Sequence, residues 1–145
     1  MRPGYISIQT HDAHRGWIRI LVTAHRPAVD SDPQAGARIR YTAQFNDREA
    51  ALMHTHELLK RRLLDPDAHL YRADLARAIA AVESVELRHR DVHWDPQIDD
   101  ETRSEVERIV AANRVLQRHK DRFFQTLGYI GIGILLFNMF VLSLV

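Results

Sequence analysis

The chain has 145 residues, 20 lysines and arginines against 19 aspartates and glutamates, nine histidines and no cysteine. That length holds one modest domain and an appendage, and the near-neutral balance supplies no field to draw in nucleic acid, so no nucleic-acid partner is expected. The lack of cysteine excludes disulfides, thiol nucleophiles, thiolate zinc sites and cysteine-held iron–sulfur clusters.

The first ten residues, Met1 to Thr10, lack the apolar run of about 7–15 residues that a secretory signal requires, so the N-terminal part is expected to stay where it is made. Tyr5 to Gln9 alternates, and Trp17 to Thr23 is apolar and β-branched after the turn-like stretch His11 to Gly16, a pattern that predicts two strands joined as a hairpin. Arg26 to Gly36, rich in Pro, Asp and Gly, reads as a loop into a third strand, Ala37 to Phe45. There Ile39, Tyr41, Ala43 and Phe45 share one face, and Arg38, Arg40, Thr42 and Gln44 the other, as in a sheet covered on one side.

Asn46 and Asp47 can cap a helix running from about Ala50 to Leu63 and ended by Asp65-Pro66-Asp67. A second helix from about Tyr71 carries Leu75, Ala78, Ile79, Val82 and Val85 at intervals of three and four. Leu87 to Trp94 fits neither helix nor strand period. After Trp94-Asp95-Pro96, Asp99 or Asp100 can cap a long helix through Val106, Ile109, Val110 and Leu116.

From Phe123 to Val145 no Asp, Glu, Lys, Arg or His occurs. At about 1.5 Å per residue this run matches a hydrocarbon core of about 30 Å, and it predicts a single transmembrane helix. Arg114, Arg118, His119, Lys120 and Arg122 precede it, so the charge asymmetry predicts a cytoplasmic N-terminus and an outside C-terminus in the inner membrane, with tail-anchor topology. Arg118, Lys120, Arg122, Phe123, Phe124 and Tyr129 would anchor at the lipid interface. Gly128, Gly131, Leu135, Asn138 and Leu142 fall on one face that combines small residues with one amide, and this predicts a partner helix, either another subunit or a second copy.

The expected architecture is therefore α+β: a small antiparallel sheet of about three N-terminal strands covered by two helices, followed by a long C-terminal helix continuing into the span. The expected divisions are a cytoplasmic domain over 1–98, a juxtamembrane helix over 99–122 and the span over 123–145.

Among the nine histidines, His54 and His56 diverge by about 200° on a helix and cannot share an ion. His89 and His93 share a face in either conformation, and Asp91 joins them on a strand, which makes these three the candidate metal ligands. There is no phosphate loop, nucleophile elbow, His-Glu-x-x-His helix or cysteine nucleophile, so neither catalysis nor a cofactor is expected. These readings converge on a non-catalytic, single-span accessory subunit of a bacterial inner-membrane complex, with integral membrane subunits, the bilayer and further copies as partners. The alternatives are a membrane-tethered metal-binding domain or enzyme using His89, Asp91 and His93, and a self-associating adaptor that recruits a cytosolic protein.

Overall fold

The computed structural model describes residues 2–28, 36–87 and 89–143. The chain divides into two compact units, Met1–Val110 and Ala111–Val145.

In the first unit the expected hairpin and third strand are β1 (Gly4–His11), β2 (Trp17–Thr23) and β3 (Ala37–Phe45). Next come α1 (Arg48–Leu59), a single 3₁₀ turn at Lys60–Arg62, the short strands β4 (Leu63–Asp65) and β5 (Leu70–Arg72), α2 (Leu75–Glu83) and β6 (His89–Trp94). The last element, α3, spans Asp100–Ser143, and its part up to Val110 belongs to this unit. Among the described residues the six strands form one antiparallel sheet in the order β4-β5-β2-β1-β3-β6.

The three-strand expectation is corrected by β4, β5 and β6. The sequence pattern places the end of one helix at Leu63, a stop at Asp65-Pro66-Asp67 and the next helix from about Tyr71, but the segment from Leu63 to Arg72 is neither helix. It makes instead a tight hairpin whose turn is held by Asp65 Oδ1, which accepts from the backbone N–H groups of Asp67 (2.9 Å) and Ala68 (3.2 Å). Strands of three residues are too short to display alternation; they form because β2 offers β5 a free edge, with Ile18 opposite Tyr71. Helix α1 consequently stops at Leu59, and α2 begins at Leu75.

Each helix start has a local cause. Asp47 accepts from Ala50 N–H at 3.2 Å, Asp74 from Arg77 N–H at 2.7 Å and Asp99 from Thr102 N–H at 3.0 Å. Each bond satisfies a donor that the first turn leaves unpaired. Both α1 and α2 pack on the central strand β1. They seal a core of Ile6, Ile8, Ile18, Ile20, Tyr41, Ala43 and Phe45 from the sheet against Ala51, Leu59, Ala78, Ile79 and Val82. Each large apolar side chain buried here contributes about 1.5–3 kcal/mol relative to exposure. On the opposite face Ser7 and Thr42 are also buried, and their hydroxyls bond each other at 3.0 Å.

Gly4 tests the register of the two central strands, β1 and β2. A Cβ built there would lie 2.5 Å from the carbonyl oxygen of Thr23 and 2.6 Å from Arg48 Cδ. The arginine can swing away, but the carbonyl belongs to the paired strand β2. Gly4→Ala is expected to destabilise the first unit by about 1–3 kcal/mol in chemical denaturation; an unchanged midpoint would mean that β1 does not start beside Thr23.

In the second unit, the predicted span is corrected. Among the described residues no helix is long and apolar enough to cross a membrane. Gln125, Thr126, Tyr129, Asn138 and three glycines dilute the apolar run within α3, and its last two residues, Leu144 and Val145, lie outside the described residues. The single-pass topology, the inner-membrane location and the role as a subunit of a membrane complex rested on that span and are withdrawn with it.

Candidate functional site

Position 83 lies four residues after Ile79, so the helical repeat sets Glu83, the last residue of α2, on the stripe that faces the sheet. Strand β6 runs antiparallel to β3 with Phe45 opposite His89, Gln44 opposite Arg90 and Ala43 opposite Asp91. Because Phe45 and Ala43 face the core, His89 and Asp91 project to the same side, toward Glu83.

The pairing then shifts. Thr42 lies opposite His93 and Tyr41 opposite Trp94, with Val92 as the extra residue of a bulge. One added residue reverses which side chains face which way. It returns Trp94 to the core face, where its ring meets Tyr41 edge-on at 5.0 Å between centroids, and turns His93 to the other face with Thr42. Of the three metal candidates read from the sequence, His89 and Asp91 therefore come together and His93 does not. Glu83 takes its place.

The ligand atoms of Glu83, His89 and Asp91 all lie within 4.8 Å of one another. The Tyr41 hydroxyl sits between the two carboxylates: it donates to Glu83 Oε1 in a short contact and lies 3.1 Å from Asp91 Oδ1. His89 Nε2 is 3.4 Å from Glu83 Oε2, and its Nδ1 is 3.0 Å from the carbonyl oxygen of Leu87. The His89 ring also packs on Phe45 at 5.0 Å. Glu83 and His89 are half-buried, whereas Asp91 is exposed, so the group opens to solvent on one side.

The electrostatics follow from this crowding. Burial first, then the charges of Glu83 and Asp91 together with bonding to them, push the Tyr41 hydroxyl far above its ordinary range, so it stays a donor. For Glu83, burial is the largest influence and acts upward, but bonds to His89 and Tyr41, the charge of His89 and a bond to Asp91 together hold the carboxyl below its ordinary value. The bond to Glu83 raises His89 against the opposing effect of burial.

Tyr41 and Glu83 escaped the sequence reading as site residues. Tyr41 was assigned to the core, where its ring does lie. The available signal for Glu83 was a carboxylate on an otherwise apolar helical stripe.

The other sequence candidates lie in the second unit. Arg118, Arg122, Phe123, Phe124 and Tyr129 are exposed, and the Phe123 and Phe124 rings meet edge-on at 5.9 Å. Leu135 is 66% exposed, Asn138 is exposed, and a Cβ at Gly128 or Gly131 would meet nothing within 4 Å. The side chains of Lys120 and Leu142 lie outside the described ones. Every described side-chain position from Arg122 to Met139 is exposed, including Phe123, Leu127, Ile130, Ile132, Ile134, Leu136 and Phe137.

No family model, no curated protein and no solved structure matches this chain.

Proposed function

We propose that the chain is a non-catalytic protein-interaction module that assembles with further copies of itself through the apolar part of α3. The observation that supports this reading is the run of bare apolar side chains just described. Exposed patches of this kind are rare on isolated proteins and mark contact surfaces.

Identical helices suit this surface because Phe123, Leu127, Ile130, Ile134 and Phe137 recur at intervals of four and three, the spacing of a knobs-into-holes seam. Gly131 and Asn138 flank that seam, so neighbouring backbones can approach closely on one side, and a polar amide can fix the register. Apolar residues also extend beyond the narrow stripe that a two-stranded pairing buries. A bundle of three or more copies covers more of them.

The test is native mass spectrometry of the purified full chain. A homomeric species of three or more copies is expected, and Ile130→Glu should convert it to monomer while leaving the thermal unfolding of the first unit unchanged. A monomer at all concentrations, a complex with a different chain, or a monomer that floats with phosphatidylglycerol vesicles would each overturn the reading.

A further inference from the structure

The grouping of Glu83, His89 and Asp91 has a chemistry that protein self-association does not use. With Nδ1–H donated to Leu87, His89 bonds Glu83 Oε2 through Nε2–H while it is protonated; once neutral it presents the Nε2 lone pair there instead, a place a cation can take over from that proton. Tyr41 has a single hydroxyl proton to share between Glu83 Oε1, in short contact, and Asp91 Oδ1 at 3.1 Å, so it cannot satisfy both carboxylates. Lone pairs from a ring nitrogen and two carboxylates thus converge, and a cation placed among them satisfies all three.

We propose that Glu83, His89 and Asp91 form a binding site for a divalent first-row transition-metal ion. The donor set is one imidazole nitrogen and two carboxylate oxygens. This mixed set suits zinc, iron(II) or manganese(II) better than calcium or magnesium, which prefer oxygen alone, and it offers no sulfur to copper(I).

The geometry needs little adjustment. Ligand atoms about 2.1 Å from a tetrahedral ion are about 3.4 Å apart, the separation already present between His89 Nε2 and Glu83 Oε2. The remaining separations, at most 4.8 Å, close by small side-chain rotations of the exposed Asp91.

The outer contacts are of the kind that orient metal ligands. The carbonyl oxygen of Leu87 fixes the ring through Nδ1 and leaves Nε2 for the ion, and the Tyr41 hydroxyl bonds a ligating carboxylate. Three protein ligands leave one tetrahedral position, on the side opened by Asp91, for water or a small anion.

The site belongs to the first unit and stands independently of the self-association reading. The full chain, stripped with a chelator and dialysed, is titrated with Zn²⁺ by calorimetry and with Co²⁺ by visible absorption. One equivalent per chain is expected, with d–d bands of a four-coordinate ion. Asp91→Asn, Glu83→Gln and His89→Ala should each weaken Zn²⁺ binding at least tenfold, a loss no smaller than the 10–100-fold typical of removing an outer-shell partner. His93→Ala, on the opposite face, should leave it unchanged. Asp91 is exposed, so its variant keeps the fold, and chemical denaturation of the metal-free protein checks this for all three. No saturable binding, binding that survives these variants, or equal loss in His93→Ala would overturn the proposal.

Discussion

Phe45→Ala is expected to destabilise the first unit by about 3–5 kcal/mol, the cost of removing a large ring from a core that cannot collapse around the gap. Phe45 is 0% exposed, pairs with Gly4 on one side and His89 on the other, and packs its ring against that histidine. A domain of ordinary stability, about 5–15 kcal/mol, would lose a large fraction of it. Chemical denaturation followed by the fluorescence of Trp17 and Trp94 reads the change, and Phe45→Leu, which refills much of the volume, should lose markedly less. A loss below about 1 kcal/mol for the alanine variant would mean that position 45 is not sealed between α1, β1 and β6.

The elements that position Phe45 differ in how plainly the sequence displayed them. Strands β1 to β3 are seven to nine residues long, enough to show alternation, and Tyr41, Ala43 and Phe45 lie in the core as their spacing predicts. Ile39 is buried but does not share their face: the pairing with β1 skips Arg40, which sets Ile39 opposite Gln9 and outside that core. Strand β6 does not show in the sequence because its bulge at Val92 breaks the period halfway, so no single template fits His89 to Trp94. The same bulge explains why His93 was grouped with His89 and Asp91: a regular strand keeps residues 89, 91 and 93 on one face, and the extra residue turns the third away. Glu83 joins the site from another element, through tertiary packing that no local pattern encodes. Strands β4 and β5 are similarly silent, since three residues cannot establish a period. In α3 the absence of ionisable residues beyond Arg122 gives the sequence the look of a span, but glycines, Gln125, Thr126 and Asn138 lie within it. Those residues interrupt the apolar run.

Asp95→Ala is the second large effect expected, about 3 kcal/mol. Asp95 follows β6, and its carboxylate holds two elements at once: Oδ1 accepts from Gln97 N–H at 2.9 Å within the turn, while Oδ2 lies 3.0 Å from Arg40 Nε on β3. Its backbone N–H donates to the Arg40 carbonyl at 2.9 Å, and its own carbonyl accepts from Ile98 N–H at 3.0 Å. The carboxylate is 8% exposed and the Arg40 side chain 20%. Arg40 Nε and Asp95 Oδ2 make an ion pair rather than an aligned hydrogen bond, and neither atom has a hydrogen-bond partner among the described residues. Removing Asp95 therefore leaves a largely desolvated guanidinium without its counter-charge, which costs more than the pair itself contributes. That asymmetry yields a second expectation. Asp95→Ala combined with Arg40→Met should be less destabilising than the sum of the two single changes by about 0.5–3 kcal/mol, because the apolar replacement no longer requires a partner. Asp95→Asn retains an acceptor for Gln97 and removes only the charge, so its loss isolates the ionic part. Strict additivity in the double-variant cycle would show that Arg40 and Asp95 act independently, and the effect of Asp95→Ala would then belong to the turn alone.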